Sequence, residues 1–211
     1  METKRLCLWL KTEQVLVVGD LHIGYDEGMN KEGVMIPRVH VEDLSEEIEK
    51  TLRSLHPKKI ILIGDVKHEF GRISEEEWRH TLRFIDTLSE KAELILIRGN
   101  HDTVLGPIAE KRKISIKDHL FIGKTLLLHG HLLPSEDLLK DTETIIIGHE
   151  HPSVSLSNGV RVEQYKCFLL GTWKEKNLIV LPSLNSLVQG SDILTEKLLS
   201  PFLQDLSDFN V

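Results

Sequence analysis

Five short apolar runs in this chain each end in a glycine flanked by histidine or aspartate, and that repetition limits the folds open to it. VLVV leads into GDLH (residues 19–22), IILI into GDVKH (64–68), LILI into Arg98 and GNHD (99–102), LLL into HGH (129–131), and III into GHEH (148–151). Apolar runs this short, bounded by glycine, read as buried strands. A sheet built from them delivers polar side chains to one edge, where α/β architectures place their sites. Seven of the eleven histidines (His22, His68, His101, His129, His131, His149 and His151) fall in the five blocks, the compositional mark of a metal site.

The text between the runs sets the connections. LCLWL and QVLVV predict two strands turning at residues 11–13, and residues 25–37 read as loop. Apolar Val39, Val41, Leu44, Ile48, Leu52 and Leu55 recur at helical spacing before Pro57. Ser74 and Glu77 form a capping-box pattern, and Trp78, Leu82, Ile85 and Leu88 supply the stripe of the next helix. The resulting β-α-β-α-β run specifies parallel strands with right-handed crossovers. Beyond Asp102 the pattern is mostly strand, with one short helix expected at residues 135–140 and a hairpin turning at Asn158-Gly159. The stretch from residue 191 reads as a short helix or a docked tail.

Size and charge exclude several classes. At 211 residues with 40% hydrophobic content, a single domain over residues 1–211 accounts for the chain. The first residues turn polar too early for a signal peptide, and no apolar stretch approaches membrane-spanning length, so a cytoplasmic location is expected and no membrane partner. Cys7 and Cys167 match no metal-ligand spacing and read as reduced core thiols. A net charge of −7 argues against a protein that coats nucleic acid, while leaving local recognition open. Nothing in the sequence decides the oligomeric state.

The blocks also suggest a coordination chemistry. On an extended backbone, Asp20 and His22 point to the same side of Leu21, and His149 and His151 repeat the pattern around Glu150. Mixed histidine, aspartate and asparagine donors favour first-row transition metals over calcium or magnesium. Two ions about 3.5–4 Å apart would share a carboxylate. A lone GD-x-H or H-x-H arises often by chance; all five blocks in order, each after a strand, do not.

In that order the blocks resemble those of the calcineurin-like metallophosphoesterase superfamily. The resemblance implies an α/β fold, a four-layer α-β-β-α sandwich of two mixed sheets with a dimetal site at the strand ends, the segment after Ser153 completing the second sheet. It implies Asp20, His22 and His151 on one divalent transition metal, Asn100, His129 and His149 on the other, and Asp65 as the bridge. Manganese is the expected metal, with iron, zinc, nickel or cobalt as alternatives. Within HGH it gives His129 the ligand place and makes His131 a neighbour. His101 is then the general acid beside ligand Asn100, with Asp102 as the group that would orient its ring.

The superfamily's protein phosphatases carry GDxVDRG and GNHE, whereas this chain has GDVKHEF and GNHD. The GD-x-x-H form resembles the SbcD-like repair nucleases and implies that His68 contacts the phosphate. GDLHIGYDEGMNKEGVMIP, KCFLL and LPSLNSLVQG are similar to the small SbcD-related prokaryotic phosphoesterases, including the DNA ligase-associated type. Arg98 and Arg38 are candidate phosphate binders, though surface arginines are common. The expectation is a hydrolase that cleaves phosphodiesters by attack of a metal-bridging hydroxide. Its substrate would be a nucleotide or single-stranded nucleic acid, with DNA-repair proteins as candidate partners. A phosphomonoesterase, or a scaffold on the same fold like the retromer subunit, is the alternative; the filled ligand positions argue against the scaffold.

Overall fold

The computed structural model describes residues 1–36, 40–68, 74–103 and 105–211. The three apolar runs nearest the N-terminus become β3 (Val15–Val18), β4 (Lys59–Ile63) and β5 (Glu93–Ile97), paired in parallel so that Val18 lies beside Leu62 and Leu62 beside Leu96. Their crossovers are α2 (His40–Leu52) and α3 (Glu75–Ser89). Val39, expected in the first of these helices, lies outside the described residues. β1 (Glu2–Lys4) and β2 (Cys7–Leu10) extend the sheet antiparallel on one side, and β6 (Ser115–Lys117) extends it parallel on the other.

A second, five-stranded sheet runs β12 (Leu169–Trp173), β13 (Lys176–Val180), β9 (Thr144–Ile147), β8 (Thr125–Leu128) and β7 (His119–Ile122). Strand alternation decides what faces what. Val15, Val17, Ile61, Ile63, Ile95 and Ile97 turn inward and pack with Leu127, Ile146, Ile179 and Leu181 of the second sheet. Their neighbours Leu16, Val18, Ile60, Leu62, Leu94 and Leu96 turn outward onto Leu44 and Ile48 of α2 and Phe84, Ile85 and Leu88 of α3. Each side chain so buried contributes about 1.5–3 kcal/mol relative to exposure.

The mixed α/β sandwich is present, with differences of detail. The outer layer on the second sheet is thin: α5 (Glu136–Leu139) contributes Leu139, and the C-terminal segment contributes Phe202 and Leu203. That segment is a docked tail, as one of its two expected forms. The chain after Ser153 does not all join the second sheet. β10 (Pro152–Ser157), β11 (Val162–Lys166) and β14 (Ser191–Asp192) form a separate three-stranded sheet, and only β12 and β13 complete the second.

Two helices correct the sequence reading. Residues 25–31, read as loop, form α1 (Tyr25–Lys31), entered through Gly24 at φ 92° and carrying Asp26 and Glu27 in its first turn, where the helix dipole favours them. α4 (Gly106–Arg112) is a second helix beyond Asp102, where only the one at residues 135–140 is expected; Pro107 sits in its first turn and Lys111 and Arg112 in its last. Both are seven residues long, too short for a periodic stripe to reveal.

Candidate metal centre

All five blocks lie where strands of the two facing sheets end, and the chain turns sharply there. His22, Asp65, His149 and His151 have φ of 44°, 40°, 67° and 50°, four of the nine non-glycine residues with positive φ among the described residues. Left-handed backbone at such residues costs about 1–3 kcal/mol each and persists only where the surroundings enforce it. The extended-backbone geometry expected for Asp20–His22 and His149–His151 is therefore replaced by turns. The glycines permit the crowding: a Cβ on Gly99 would stand 2.1 Å from Asp65 Oδ1, and one on Gly148 would stand 2.5 Å from Asp20 Oδ2.

The donors gather in two groups that share a wall. In one, His151 Nε2 lies 3.3 Å from Asp20 Oδ1 and 3.2 Å from His22 Nε2. In the other, His129 Nε2 lies 3.0 Å from Asn100 Oδ1 and 3.3 Å from Asp65 Oδ2, with His149 in the same cluster. Asp65 Oδ2 is also 3.9 Å from His22 Nε2, so this carboxylate faces both groups, as a bridge must. All seven expected ligands are thus brought together. His22, His68 and His101 form a third cluster, but it lacks a carboxylate to balance a cation and shares His22 with the first.

These residues fit metal ions. Donors held about 2.0–2.2 Å from one ion lie about 3.0–3.6 Å from each other, the spacing found here. Asp20 Oδ1 is buried without a hydrogen-bond partner, and His22 and His151 aim ring nitrogens at each other. Both are costly arrangements that a cation resolves. Burial and the neighbouring His151 push the His22 imidazole down to about 3, and burial with His129 takes His149 to about 4. Both are held neutral, the ligating form. His129 is the exception: burial opposes its charge, but Asp65 and Asp20 outweigh that and raise it to about 9. Burial likewise works against the charge on Asp20 and Asp65, yet His151 and His129 respectively hold both below the usual carboxylate range. His129 Nδ1 faces the Ile63 carbonyl at 3.2 Å, which leaves Nε2 turned to the centre.

Beside this centre, His101 Nε2 is 3.8 Å from Asp65 Oδ2, and its Nδ1 donates to the His68 carbonyl at 2.5 Å. The expected orienting role of Asp102 is not what the structure shows. Asp102 is buried and accepts backbone N–H groups of Gly99 and Val66, each at 3.0 Å, so it ties the second block to the third. Burial and the Asp65 charge push its carboxyl up to about 6. His68 Nδ1 is 3.4 Å from His22 Nδ1 and its ring stacks on His101, placing it as an orienter of two site histidines. Its own N–H donates to Glu77 Oε1 at 3.1 Å. Ser74 caps α3 as expected, accepting from Glu77 N at 3.0 Å, while the Glu77 carboxylate turns to the site.

Several supporting residues escaped sequence reasoning. Buried Asn185 donates through Nδ2 to the carbonyls of Leu21 (2.8 Å) and His22 (3.2 Å), and Ser183 Oγ donates to the Asp20 carbonyl at 2.9 Å, so LPSLN is the clamp on the first block. Lys166 Nζ in turn donates to the carbonyls of Ser183 and Asn185. Glu150, between two ligands, accepts the N–H groups of Leu199 (2.7 Å) and Ser200 (2.8 Å) and fastens the tail. For Ser183 and Asn185 the sequence signal is small polar residues inside apolar text.

The remaining candidates separate. Arg98 is half-exposed, paired with Asp118 at 3.4 Å, and lines a cavity that His129 also borders. Arg38 lies outside the described residues. His131 is a neighbour of the centre, its ring 5.2 Å from that of His129. A surface cavity of about 900 Å³ along α3 near Arg112 contains none of the candidate ligands.

The fold and this site define a class. Residues 14–204 match the model of the calcineurin-like phosphoesterase family, and the chain belongs to that family. Among solved structures it is similar to a nuclease, MPE, from Pseudomonas putida, at 20% identity and a TM-score of 0.69 over 90% of this chain and 84% of that one. It is also similar to AQ665, a protein of unknown function from Aquifex aeolicus (19% identity, TM-score 0.45, 69% and 81% covered). A third is Yfce, a phosphoesterase from E. coli (16% identity, TM-score 0.46, 81% and 79% covered). No curated protein matches the sequence. Among the described residues, no helix is long and apolar enough to cross a membrane.

Proposed function

We propose that this protein is a phosphodiesterase that uses two divalent transition metals, manganese foremost, on nucleotide or single-stranded nucleic-acid esters. The observation that carries the reading is Asp65: its Oδ2 lies 3.3 Å from His129, 3.8 Å from His101 and 3.9 Å from His22. One carboxylate thus joins both ligand groups and the candidate acid. Asp20, His22 and His151 would hold one ion, Asn100, His129 and His149 the other. When bound, such ions supply charge neutralisation at phosphoryl oxygens and the activation of water.

The chain's own residues supply the proton. His101 donates a hydrogen bond from Nδ1–H to a peptide carbonyl, so Nε2 faces the site; from the imidazolium form the Nε2 proton would pass to the departing alkoxide, leaving the neutral Nδ1–H ring. His68 keeps that ring parallel to its own, 5.6 Å away. A diester, with one negative charge, needs less cationic compensation than a monoester dianion. Arg98, the arginine lining the cavity beside the centre, already shares its charge with Asp118, which favours the diester. The motif likeness to SbcD-related enzymes supports a cytoplasmic role alongside DNA-repair proteins.

The test is hydrolysis of bis-p-nitrophenyl phosphate with manganese, run beside the mono ester. Metal-dependent diester turnover that falls in Asp65→Asn and His101→Ala is expected. Faster monoester turnover would reverse the substrate class, and no turnover above the variants would leave a scaffold.

A further inference from the structure

A cavity of 230 Å³ opens directly beside the second ligand group, with Gly99, His129 and His131 in its wall. Its other side is aliphatic: Leu128, Leu132, Leu133, Pro134 and Leu138. Leu132 and Leu133 are 66% and 50% exposed, large apolar side chains left in solvent at the mouth of a polar centre. The polar groups are few and of both kinds. Arg98 offers donors, Asp118 an acceptor and His119 an imidazole, beside the His131 ring.

We propose that this cavity receives the nucleobase attached to the phosphate at the metal centre. The inference rests on the phosphodiesterase reading above and narrows its substrate. Full small-molecule pockets occupy about 300–1,000 Å³, so this one fits part of a ligand whose remainder lies elsewhere, here over the metals. Apolar walls with a guanidinium at the rim suit a flat π-face. An edge carrying donors and acceptors meets the Arg98 guanidinium and the Asp118 carboxylate together, whereas an aliphatic or plain phenyl group would leave both without a polar partner from the ligand.

Two measurements test this on the intact protein. In the first, zinc-loaded protein with labelled leucine methyls is titrated with adenosine 5′-monophosphate and, separately, ribose 5-phosphate. Upfield shifts of the Leu132 and Leu133 methyls with the nucleotide alone are expected; equal responses to both would overturn the assignment. In the second, kcat/KM with manganese is compared for the p-nitrophenyl ester of thymidine 5′-monophosphate and for methyl p-nitrophenyl phosphate. A preference for the nucleotide ester of about tenfold is expected, the scale of covering one face of a ring with apolar side chains, falling towards unity in a Leu132→Ala, Leu133→Ala variant. Both leucines are exposed, so the pair can be changed without emptying the core. If neither ester is hydrolysed but the methyls shift, the diesterase reading fails and the base pocket stands. If both esters are cleaved equally and the methyls are silent, the pocket fails alone.

Discussion

His101 donates its Nδ1 proton to the backbone carbonyl of His68, 2.5 Å away, with the two rings 5.6 Å apart and inclined at 19°. The tautomer is set by a peptide group, which does not titrate. Nε2 is therefore the exchanging atom, turned towards Asp65.

A general acid matters most when the leaving group is poor. His101→Ala is expected to lower kcat by about 10²–10⁴ on an alkyl diester and by much less on a p-nitrophenyl diester. Steady-state kinetics on the two esters checks it; equal losses would assign His101 a different role.

Asp65→Asn keeps the shape of the bridge and removes its charge. Elemental analysis after dialysis is expected to find fewer than two metal equivalents per chain. In the unaltered protein, metal at about 100 times its Kd adds about 2.7 kcal/mol of stability, which a chelator reverses. Thermal unfolding with and without chelator measures it, and the increment shrinks in the variant.

Metal binding is expected to tighten with pH because it displaces a proton from His129. That group's folded value, about 9, exceeds its ordinary 6.5. In the metal-free protein its stabilising contribution is complete below pH 6.5 and is lost as pH rises through 9. Over the same window metal affinity should rise about tenfold per pH unit, one proton being released per chain. Titration calorimetry in two buffers of different ionisation enthalpy reads the proton count.

Gly99→Ala forces a methyl to 2.1 Å from Asp65 Oδ1 and 2.2 Å from Asp65 N. The backbone must shift at a cost of about 1–3 kcal/mol. Metal affinity should suffer more than stability does, since the bridge itself is displaced; calorimetry against urea unfolding separates the two.

Asn185→Ala removes a buried amide that donates to Leu21 and His22 and accepts from Leu187 N at 2.9 Å. A loss of at least about 1–3 kcal/mol in urea unfolding is expected from the groups left unpaired. The metal bound by Asp20 and His22 should weaken with it.

Much of the site was legible because its residues follow apolar runs, and a run followed by a turn is a local signal. The ligands' grouping and the parallel β3-β4-β5 order come from that signal together with the family resemblance. What stayed hidden depends on partners distant in sequence. Glu77 reads as a helix cap, and nothing near it reveals that its carboxylate meets the N–H of His68. Asp102 adjoins His101 in sequence, yet backbone N–H groups 35 and 36 residues away share its Oδ1. Asn185 reads as loop text until the first block is folded against it. The seven-residue helices α1 and α4 were missed because one or two turns show no period.

The bond from His149 N to Asp20 Oδ2 spans 129 residues. Asp20 leaves the ribosome long before the block that completes its coordination sphere, and the second sheet must dock before His149 and His151 can arrive. No early fragment holds a closed set of donors. The full set of donors therefore exists only in the docked sandwich, and an ion held by all of them would be bound by the finished fold rather than by an early fragment of the chain.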